Sequence, residues 1–235
     1  MKKSRNNKQK NFFRSPGVML SAVVLVLLIP GVLLLVNNQS SYSPELPEPV
    51  EYPNPDRLTI GNTESSVHLE EYSDFQCPAC MRFHDSIFPL LLEEFFEPGL
   101  ITFTYKPLPI LDSNSPDRES HLAAEAALCA ADQDSFWPYH DVLFANQGTP
   151  NSGQFLQKNL EAMAEGLNLD TETFSECLDE GTYTGDVQKQ LMLGLNNGIQ
   201  ATPTLVLNGE ILEWETYGEL QELLNAAVNA VENAG

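Results

Sequence analysis

The sequence predicts an α/β domain in which a long helical insertion divides a sheet, preceded by an apolar N-terminal helix. Three observations support this prediction. A strand–helix–strand pattern occupies about residues 58–105, helical patterns cover about 113–197, and a hairpin followed by a helix fills the rest. Strands that alternate with helical segments of these lengths are typical of α/β folds.

The charge of the chain is unevenly distributed. Its 235 residues include 12 basic and 33 acidic ones, a formal net charge of −21. Residues 1–36 contain six of the basic residues and no acid, so all 33 acids lie in the remainder. Such a body repels nucleic acid, because binding to phosphates depends on Lys and Arg. The apolar fraction of 42% is typical of globular proteins and excludes a mostly disordered chain.

An uncharged run of 19 residues, 18–36, predicts a membrane anchor. As a helix it spans roughly 28 Å, close to the thickness of the hydrocarbon core of a bilayer. The positive charges in the segment 1–17 place the N-terminus in the cytoplasm and the body outside. A cleaved signal peptide is the alternative, but its apolar region is usually shorter and ends in a small-residue cleavage site. We therefore expect a single-pass protein of the cell membrane with an extracytoplasmic C-terminal domain.

A proline-rich segment, residues 37–56, follows the apolar run. Prolines at this density favour an extended, semi-rigid spacer of at most about 60 Å. We predict that this linker holds the body away from the membrane. The folded part is then 57–235, a length that suits one domain with an insertion.

The first half of this domain has the pattern of a strand–helix–strand unit. Residues 67–72 predict a strand, with a short strand at 58–60 before it. Residues 78–96 predict a helix that Pro89 should kink, because proline removes a backbone hydrogen bond. A strand at 101–105 completes the unit.

Helical patterns then dominate the insertion at about 113–197. Ser115-Pro116-Asp117 predicts the first helix start, since it offers a capping side chain, a proline at the first helical position and an early acid. After the insertion, two short strands flank Asn208-Gly209, the pattern of a two-residue β-hairpin, and a helix follows at 217–232. The order βαβ, helical insertion, ββα is that of a thioredoxin fold interrupted by an α-helical domain.

Cys77-Pro78-Ala79-Cys80 is the motif that predicts the chemistry. It follows a predicted strand directly and opens a predicted helix. Unpaired backbone N–H groups and the helix dipole stabilise a thiolate at a helix N-terminus, and the thiolate is the reactive form of cysteine. We therefore predict that Cys77 attacks and is attacked, and that Cys80 resolves the mixed disulfide.

Two other uses of this motif are disfavoured. A zinc site would need Cys129 and Cys177 as further ligands, whereas structural zinc sites usually combine two closely spaced pairs. A purely structural disulfide between residues three apart would cross-link almost nothing. We expect neither a metal nor a cofactor.

The segment from Glu70 to Cys80 resembles the active-site segment of DsbA-like thiol–disulfide oxidoreductases. Residues 198–204, followed by Asn208-Gly209, resemble the cis-proline loop of that family, which faces the C-x-x-C motif and binds substrate backbone. The helical segment that contains Cys129 and Phe136-Trp137 resembles the insertion of the family. Together the matches cover about residues 58–232.

The resemblance implies that Thr202-Pro203 is a cis peptide bond and that Thr202 offers its backbone to an extended substrate. It also implies a proton-relay role for Glu71, six residues before Cys77, where the family tends to carry a buried acid. The alternative for Glu71 is a solvated strand residue. The sequence departs from the family at Ala79, where some strong oxidants carry a histidine that stabilises the thiolate.

The two remaining cysteines, Cys129 and Cys177, lie on apolar faces of predicted helices. In an oxidising compartment they favour a structural disulfide, with two separate buried thiols as the alternative. The four histidines are predicted to be surface or packed residues. Among them His84 stands out, because it lies one helical turn after Cys80.

These observations predict a membrane-anchored, monomeric oxidase that introduces disulfides into unfolded or reduced exported proteins. Re-oxidation then needs a partner, and the resemblance implies a quinone-linked membrane oxidant of the DsbB or VKOR type. Two alternatives stay open. One is the same chemistry run as a reductase or isomerase, and the other is a non-catalytic module that binds extended peptides in a thioredoxin-like groove.

Overall fold

The computed structural model describes residues 42–112 and 115–233. The basic segment predicted at 1–17 and the membrane anchor predicted at 18–36 lie outside these residues. Within the described part, no helix combines the length and the apolar character that a membrane crossing requires.

A five-stranded sheet with the order β1-β3-β2-β4-β5 lies at the centre of the domain. Strands β2 and β3 are parallel, and the other neighbouring strands are antiparallel. This mixed sheet confirms the predicted thioredoxin-like α/β fold with inserted helices. The strands are β1 (Thr59–Gly61), β2 (His68–Ser73), β3 (Thr102–Pro107), β4 (Thr204–Leu207) and β5 (Glu210–Ile211).

The helix after β2 breaks where the sequence predicts a kink. Helix α1 spans Pro78–Ser86, α2 spans Phe88–Leu91, and a π-helical turn covers Leu92–Phe96. Pro89 has no backbone N–H and disfavours a helical residue before it, so the chain separates into two helices at Ile87 rather than bending smoothly.

The insertion forms an all-helical layer. Helix α3 contacts α4, α6 and α7, and most of its side chains are buried. Six of those buried side chains are alanines, whose small size lets the neighbouring helices approach closely. The helices are α3 (Glu119–Ala131), α4 (Phe136–Ala145), α5 (Gln157–Gly166), α6 (Thr171–Asp179), α7 (Thr184–Asn196) and, after β5, α8 (Tyr217–Glu232).

The start of α3 differs from the prediction. The helix begins at Glu119, and Ser115 is not its cap. The carboxylate of Asp112 instead accepts hydrogen bonds from the backbone N–H groups of Ser120 (2.9 Å) and His121 (2.8 Å). An acid upstream of the helix therefore satisfies two of the orphan donors of its first turn.

The predicted spacer at 37–56 is wrong for its second half. The backbone N–H of Glu45 donates to Oδ1 of Asn146 (2.8 Å), and Nδ2 of Asn146 donates back to the carbonyl of Glu45 (2.7 Å). The ring of Tyr52 packs on Trp137 with centroids 4.9 Å apart, and its hydroxyl donates to Asp141. This part of the segment is therefore not a free spacer. The hydrogen bonds with Asn146 and the packing of Tyr52 bind it to the insertion.

Candidate active site

The two cysteines of the C-x-x-C motif lie at the junction of β2 and α1. Cys77 occupies the N-cap position of α1, and its backbone N–H donates to the carbonyl of Asp74 (2.9 Å). Both cysteines are free thiols. The side chain of Cys77 is 8% exposed, whereas Cys80 is fully buried. Only the first sulfur can therefore meet a macromolecular substrate.

The environment separates the two thiols electrostatically. A hydrogen bond from the Cys80 thiol, together with the backbone N–H groups of Ala79 and Cys80, lowers the pKa of Cys77 to about 5 against the opposing effect of burial. Burial raises the pKa of Cys80 far above its ordinary value, and the negative charge of Glu71 raises it further. At neutral pH the pair therefore consists of one thiolate and one thiol.

The Thr202-Pro203 peptide bond is cis and faces the first cysteine. The protonated Cys77 thiol donates to the carbonyl oxygen of Thr202 at 3.3 Å, although the two residues lie 125 positions apart. Strand β4 follows this loop directly and pairs with β2, Tyr72 against Thr204. The sheet thereby brings the two sequence motifs to one place, with the backbone of the loop beside the sulfur.

Glu71 is buried beneath the cysteine pair, with 3% of its surface exposed. Burial raises its pKa to about 7, while the Ser73 hydroxyl and His84 act in the opposite direction. The alternative of a solvated strand residue is therefore wrong for Glu71. It applies better to Glu70, which faces the other side of β2 and forms an ion pair with Lys106 (3.0 Å). A carboxyl group with this pKa can both take up and release a proton near neutral pH.

The loop before Cys77 is held by buried polar side chains. Oδ1 of Asp74 accepts hydrogen bonds from the backbone N–H of Gln76 (2.9 Å) and from the Ser120 hydroxyl (2.7 Å). The amide of Gln76 donates to the same hydroxyl (2.8 Å), and its Oε1 accepts from the backbone of Asn151 (2.6 Å). Helix α3 and the insertion thus fix the segment that presents the first cysteine.

Gln147, after α4, completes this support. Its Nε2 donates to the carbonyl oxygens of Phe75 (2.7 Å) and Cys77 (3.1 Å). The sequence patterns do not single out Asp74, Gln76 or Gln147 as site residues. The sequence signal for them is a polar residue on each side of Phe75, directly before the C-x-x-C motif. Such residues indicate a loop whose polar side chains form buried hydrogen bonds.

Among the described residues, His84, His140 and Asp141 bring their potential ligand atoms within 4.8 Å of one another. Two imidazoles and a carboxylate are ligands that zinc accepts. In the structure, however, Oδ1 of Asp141 receives hydrogen bonds from His84 (3.2 Å), His140 (2.9 Å) and the Tyr52 hydroxyl (2.8 Å). We interpret the cluster as a hydrogen-bond network that joins α1 to α4.

The second cysteine pair lies in the insertion. Cys129 on α3 and Cys177 on α6 form a disulfide with a Cα–Cα distance of 6.0 Å and a sequence separation of 48. The alternative of two separate thiols therefore does not describe this structure.

Comparison with known proteins extends this description. Residues 53–226 match the family model described as thioredoxin. The disulfide bond formation protein D of Bacillus subtilis is 29% identical over 167 residues, which cover 70% of this chain and 74% of that protein. The crystal structure of oxidised BdbD from Bacillus subtilis superposes with a TM-score of 0.67 at 26% identity, covering 80% of this chain and 97% of that one.

A second solved structure agrees with the first. The reduced disulfide bond oxidoreductase DsbG of Mycobacterium tuberculosis has a TM-score of 0.59 at 26% identity and covers 73% of this chain and 86% of that one. The chain is a member of the thioredoxin family and, within it, a DsbA-like protein disulfide oxidoreductase.

Proposed function

We propose that the protein introduces disulfides into exported proteins and that Cys77 and Cys80 are its redox pair. The observation that supports this direction of electron flow is the low pKa of Cys77, about 5. A stabilised thiolate favours the reduced enzyme, and an enzyme that is stable when reduced is a strong oxidant of its substrates. The value lies between those of thioredoxin, about 7, and DsbA, about 3.5.

The proposed reaction has two steps. A substrate thiolate attacks Sγ of Cys77 in the oxidised enzyme, and the electron pair of the Cys77–Cys80 bond leaves on the sulfur of Cys80. A second substrate thiolate then attacks the substrate sulfur of the mixed disulfide and expels the Cys77 thiolate. The substrate loses two electrons and gains a disulfide, and the enzyme is left with both cysteines reduced.

Thr202 and Pro203 would hold the substrate during this exchange. The loop backbone lies beside the reactive sulfur, with the carbonyl oxygen of Thr202 3.3 Å from Sγ of Cys77. We propose that an extended substrate segment pairs with the backbone of Thr202, which would orient its cysteine toward the exposed edge of Sγ. Glu71, buried next to Cys80, would deliver the proton that the leaving sulfur takes up.

The reduction potential of the Cys77/Cys80 pair tests the direction. The full chain in detergent is equilibrated with glutathione buffers, and free thiols are counted by mass-tagging. The pKa of Cys77 lies about two units below that of the reactive cysteine of thioredoxin. This difference should raise the reduction potential by about 60 mV, from about −270 mV toward −210 mV. A potential at or below −270 mV would instead support the reductase alternative, and a pair that exchanges with no dithiol would support the peptide-binding module.

We also propose the cellular setting. The segment 18–36 would anchor the protein in the cell membrane with the catalytic domain on the extracytoplasmic side, and a quinone-linked membrane oxidant of the DsbB or VKOR type would re-oxidise it. Fractionation should recover the full chain in membranes, in a form resistant to alkaline carbonate. Membranes from cells that lack the oxidant should accumulate Cys77 and Cys80 as thiols, and a soluble or constantly oxidised protein would contradict this setting.

A further inference from the structure

A groove with a volume of about 540 Å³ lies beside the cis-proline loop. Helix α7, the chain that follows β3 and the first turn of α3 form its walls. Gln200 belongs to its lining and stands two residues before Thr202, whose carbonyl oxygen lies 3.3 Å from Sγ of Cys77. The groove therefore reaches the loop that lies against the reactive sulfur.

Asp112 connects the groove to the active site from a second direction. This residue is part of the lining, and its Oδ1 lies 3.4 Å from Nε2 of Gln76, the residue directly before Cys77. The lining thus contacts the segment before the first cysteine and also belongs, through Gln200, to the loop opposite it. A molecule bound in the groove would lie next to the redox pair and not on a remote face.

The groove has an apolar side that is open to solvent. Leu191 and Leu195 on α7 line it together with Pro109 and Ile110, which follow β3. Leu195 is 41% exposed, whereas Ile110 and Leu191 pack against the buried core cluster that includes Ile199. An apolar concavity that is anchored on the core and open to solvent is typical of a binding site that is formed before its ligand arrives.

Polar side chains lie beside this apolar surface. His121 is 6% exposed, its Nδ1 lies 2.7 Å from Oδ2 of Asp112, and its Nε2 makes no hydrogen bond within the described part of the chain. When Nδ1 donates to the carboxylate, a neutral ring leaves Nε2 as an acceptor. The exposed amides of Gln188 and Gln200 add donors and acceptors. The groove therefore suits a ligand that combines an apolar side chain with hydrogen-bonding backbone.

Size and charge favour a peptide segment over a second copy of the chain. The volume is in the range of pockets that enclose a small ligand, whereas a stable dimer buries roughly 800 Å² on each partner. Residues 37–235 contain 33 acids and six basic residues, so two copies would repel each other. A reduced, unfolded protein instead exposes apolar side chains near its cysteines, because its core has not formed.

The distance along the chain sets which substrate residue can reach the groove. Gln200 and Thr202 are at most about 7 Å apart, the span of two extended residues. In an extended segment, side chains two positions apart point to the same side. A substrate whose cysteine lies at Cys77 would therefore direct the side chain two positions away toward the groove.

We propose that the groove lined by Ile110, Leu191 and Leu195 is a specificity subsite, which binds an apolar side chain of the substrate two residues from the cysteine that attacks Cys77. The inference rests on the proposed function and names the substrates that the site prefers, namely reduced chains with an apolar residue near a cysteine. No bond forms or breaks in the groove, so it acts on substrate binding and not on the exchange itself.

The test compares dithiol peptides that differ at one position. Leucine or serine is placed two residues before the reacting cysteine in one pair of peptides and two residues after it in a second pair, so that net charge does not change. For at least one pair, we expect kcat/KM to be at least fivefold higher with leucine, through a lower KM at similar kcat. Equal kcat/KM within both pairs would overturn the inference.

Leu195→Ser should reduce this preference for leucine at least threefold. Leu193→Ser is the matched control, because Leu193 lies on the same helix and is 47% exposed against 41% for Leu195, but is not part of the lining. Both side chains are exposed, so both variants should fold. A Leu195→Ser enzyme that keeps the wild-type preference, or a Leu193→Ser enzyme that loses it equally, would contradict the assignment.

Binding without turnover keeps the inference testable if the protein oxidises no peptide. A leucine peptide with serine in place of its cysteines should shift the NMR signals of the His121 ring in the wild-type protein, and its serine counterpart should shift them less. The ring of His68, exposed at the start of β2 and outside the lining, should not respond. His121 signals that ignore both peptides would refute the inference.

Dithiothreitol separates the groove from the redox pair, because it has no side chain to bind there. Its oxidation should be the same for wild type and Leu195→Ser. A protein that oxidises neither dithiothreitol nor peptides would refute the proposed function, and one that oxidises both without preferring leucine would refute this inference alone. A dimer that dissociates in Leu195→Ser, or slower re-oxidation by membranes at an unchanged peptide preference, would assign the groove to another partner and overturn the inference.

Discussion

The two cysteine pairs of the chain contain the same atoms in opposite states. Cys77 and Cys80 are free thiols at the N-terminus of a helix, three positions apart. Cys129 and Cys177 form a disulfide between the C-terminal turns of two helices, 48 positions apart. The helix terminus stabilises a thiolate, which makes the first pair reactive, whereas a bond that closes a long loop restricts the unfolded chain. Position relative to helix ends, and separation in sequence, therefore distinguish a redox pair from a cross-link.

Exchange of the first cysteine should have the largest effect. Cys77→Ser removes the thiolate and should reduce dithiol oxidation to the uncatalysed background, because the exposed sulfur is the one that substrate can reach. Oxidation of a fluorescent dithiol peptide measures this loss. Cys80→Ser should also stop turnover. When this variant is mixed with the disulfide form of the peptide, its Cys77 thiolate should attack that disulfide, expel one peptide thiolate and accumulate as a mixed disulfide, visible as a mass adduct, because no second cysteine resolves it. Equal adduct formation at both positions would contradict the assigned roles.

Removal of the second pair should act on stability rather than on chemistry. Cys129→Ser with Cys177→Ser opens a loop with a sequence separation of 48 and should lower the free energy of unfolding by roughly 4 kcal/mol. Chemical denaturation of the oxidised protein measures the difference. The rate of dithiol oxidation should stay within about twofold of wild type, since this pair exchanges no electrons in the proposed cycle. A loss of activity without a loss of stability would mean that Cys129 and Cys177 act in the reaction rather than as a stabilising cross-link.

Glu71 should make stability depend on pH in a defined direction. Its pKa is raised to about 7 in the folded protein, above the ordinary value of 4.5, so the folded state binds more protons between these two values. Its contribution to stability is therefore fully present below pH 4.5 and is lost as the pH rises to about 7. The loss amounts to about 3 kcal/mol at roughly 1.4 kcal/mol per pKa unit.

Glu71→Gln should remove this loss. In the oxidised protein the cysteine pair does not titrate. There, the free energy of unfolding of the variant should increase relative to that of wild type as the pH rises from 4.5 to 7. Comparison of the two proteins by denaturation at several pH values cancels other titrating groups, including Asp74, whose pKa burial raises to about 6. If the free energies of unfolding of the two proteins changed with pH in the same way, the ionisation of Glu71 would not destabilise the folded state, and the prediction would be wrong.

Most of the fold and the placement of the Cys77/Cys80 pair at a helix start could be predicted from the sequence, because they are encoded locally. The Asn208-Gly209 turn has positive φ at both residues, as its sequence requires, and the C-x-x-C motif opens a helix. The start of α3 could not be predicted correctly, because the carboxylate that binds its first N–H groups belongs to Asp112, seven positions before the first helical residue. Local patterns do not report a capping side chain that lies outside the helical segment.

The packed N-terminal segment shows the same limit. Its prolines indicate a segment outside helices and sheets, and residues 42–52 have neither, but they do not indicate the surface on which that backbone lies. The partners of Tyr52 and Glu45 are Asp141 and Asn146, about 90 to 100 positions away along the chain. The same applies to Gln147, whose amide reaches the active-site loop from the end of α4. Contacts of this kind depend on how the insertion docks on the sheet, which no short pattern records.

The smallest effect that we expect concerns this docking. Gln147→Ala removes the amide that donates to the carbonyl oxygens of Phe75 and Cys77. The Cys77 carbonyl keeps its hydrogen bond from the Met81 N–H, so the Phe75 carbonyl is the acceptor that the variant affects most. A buried acceptor without a partner costs free energy, so unfolding should become easier by about 1–2 kcal/mol. Gln133→Ala is the matched control, because Gln133 also makes two backbone hydrogen bonds, to Asp170, but at an exposed position, and should cost less than about 0.5 kcal/mol. Equal costs for the two variants would mean that the insertion does not hold the active-site loop through Gln147, and that the support of the redox pair rests on Asp74 and Gln76 instead.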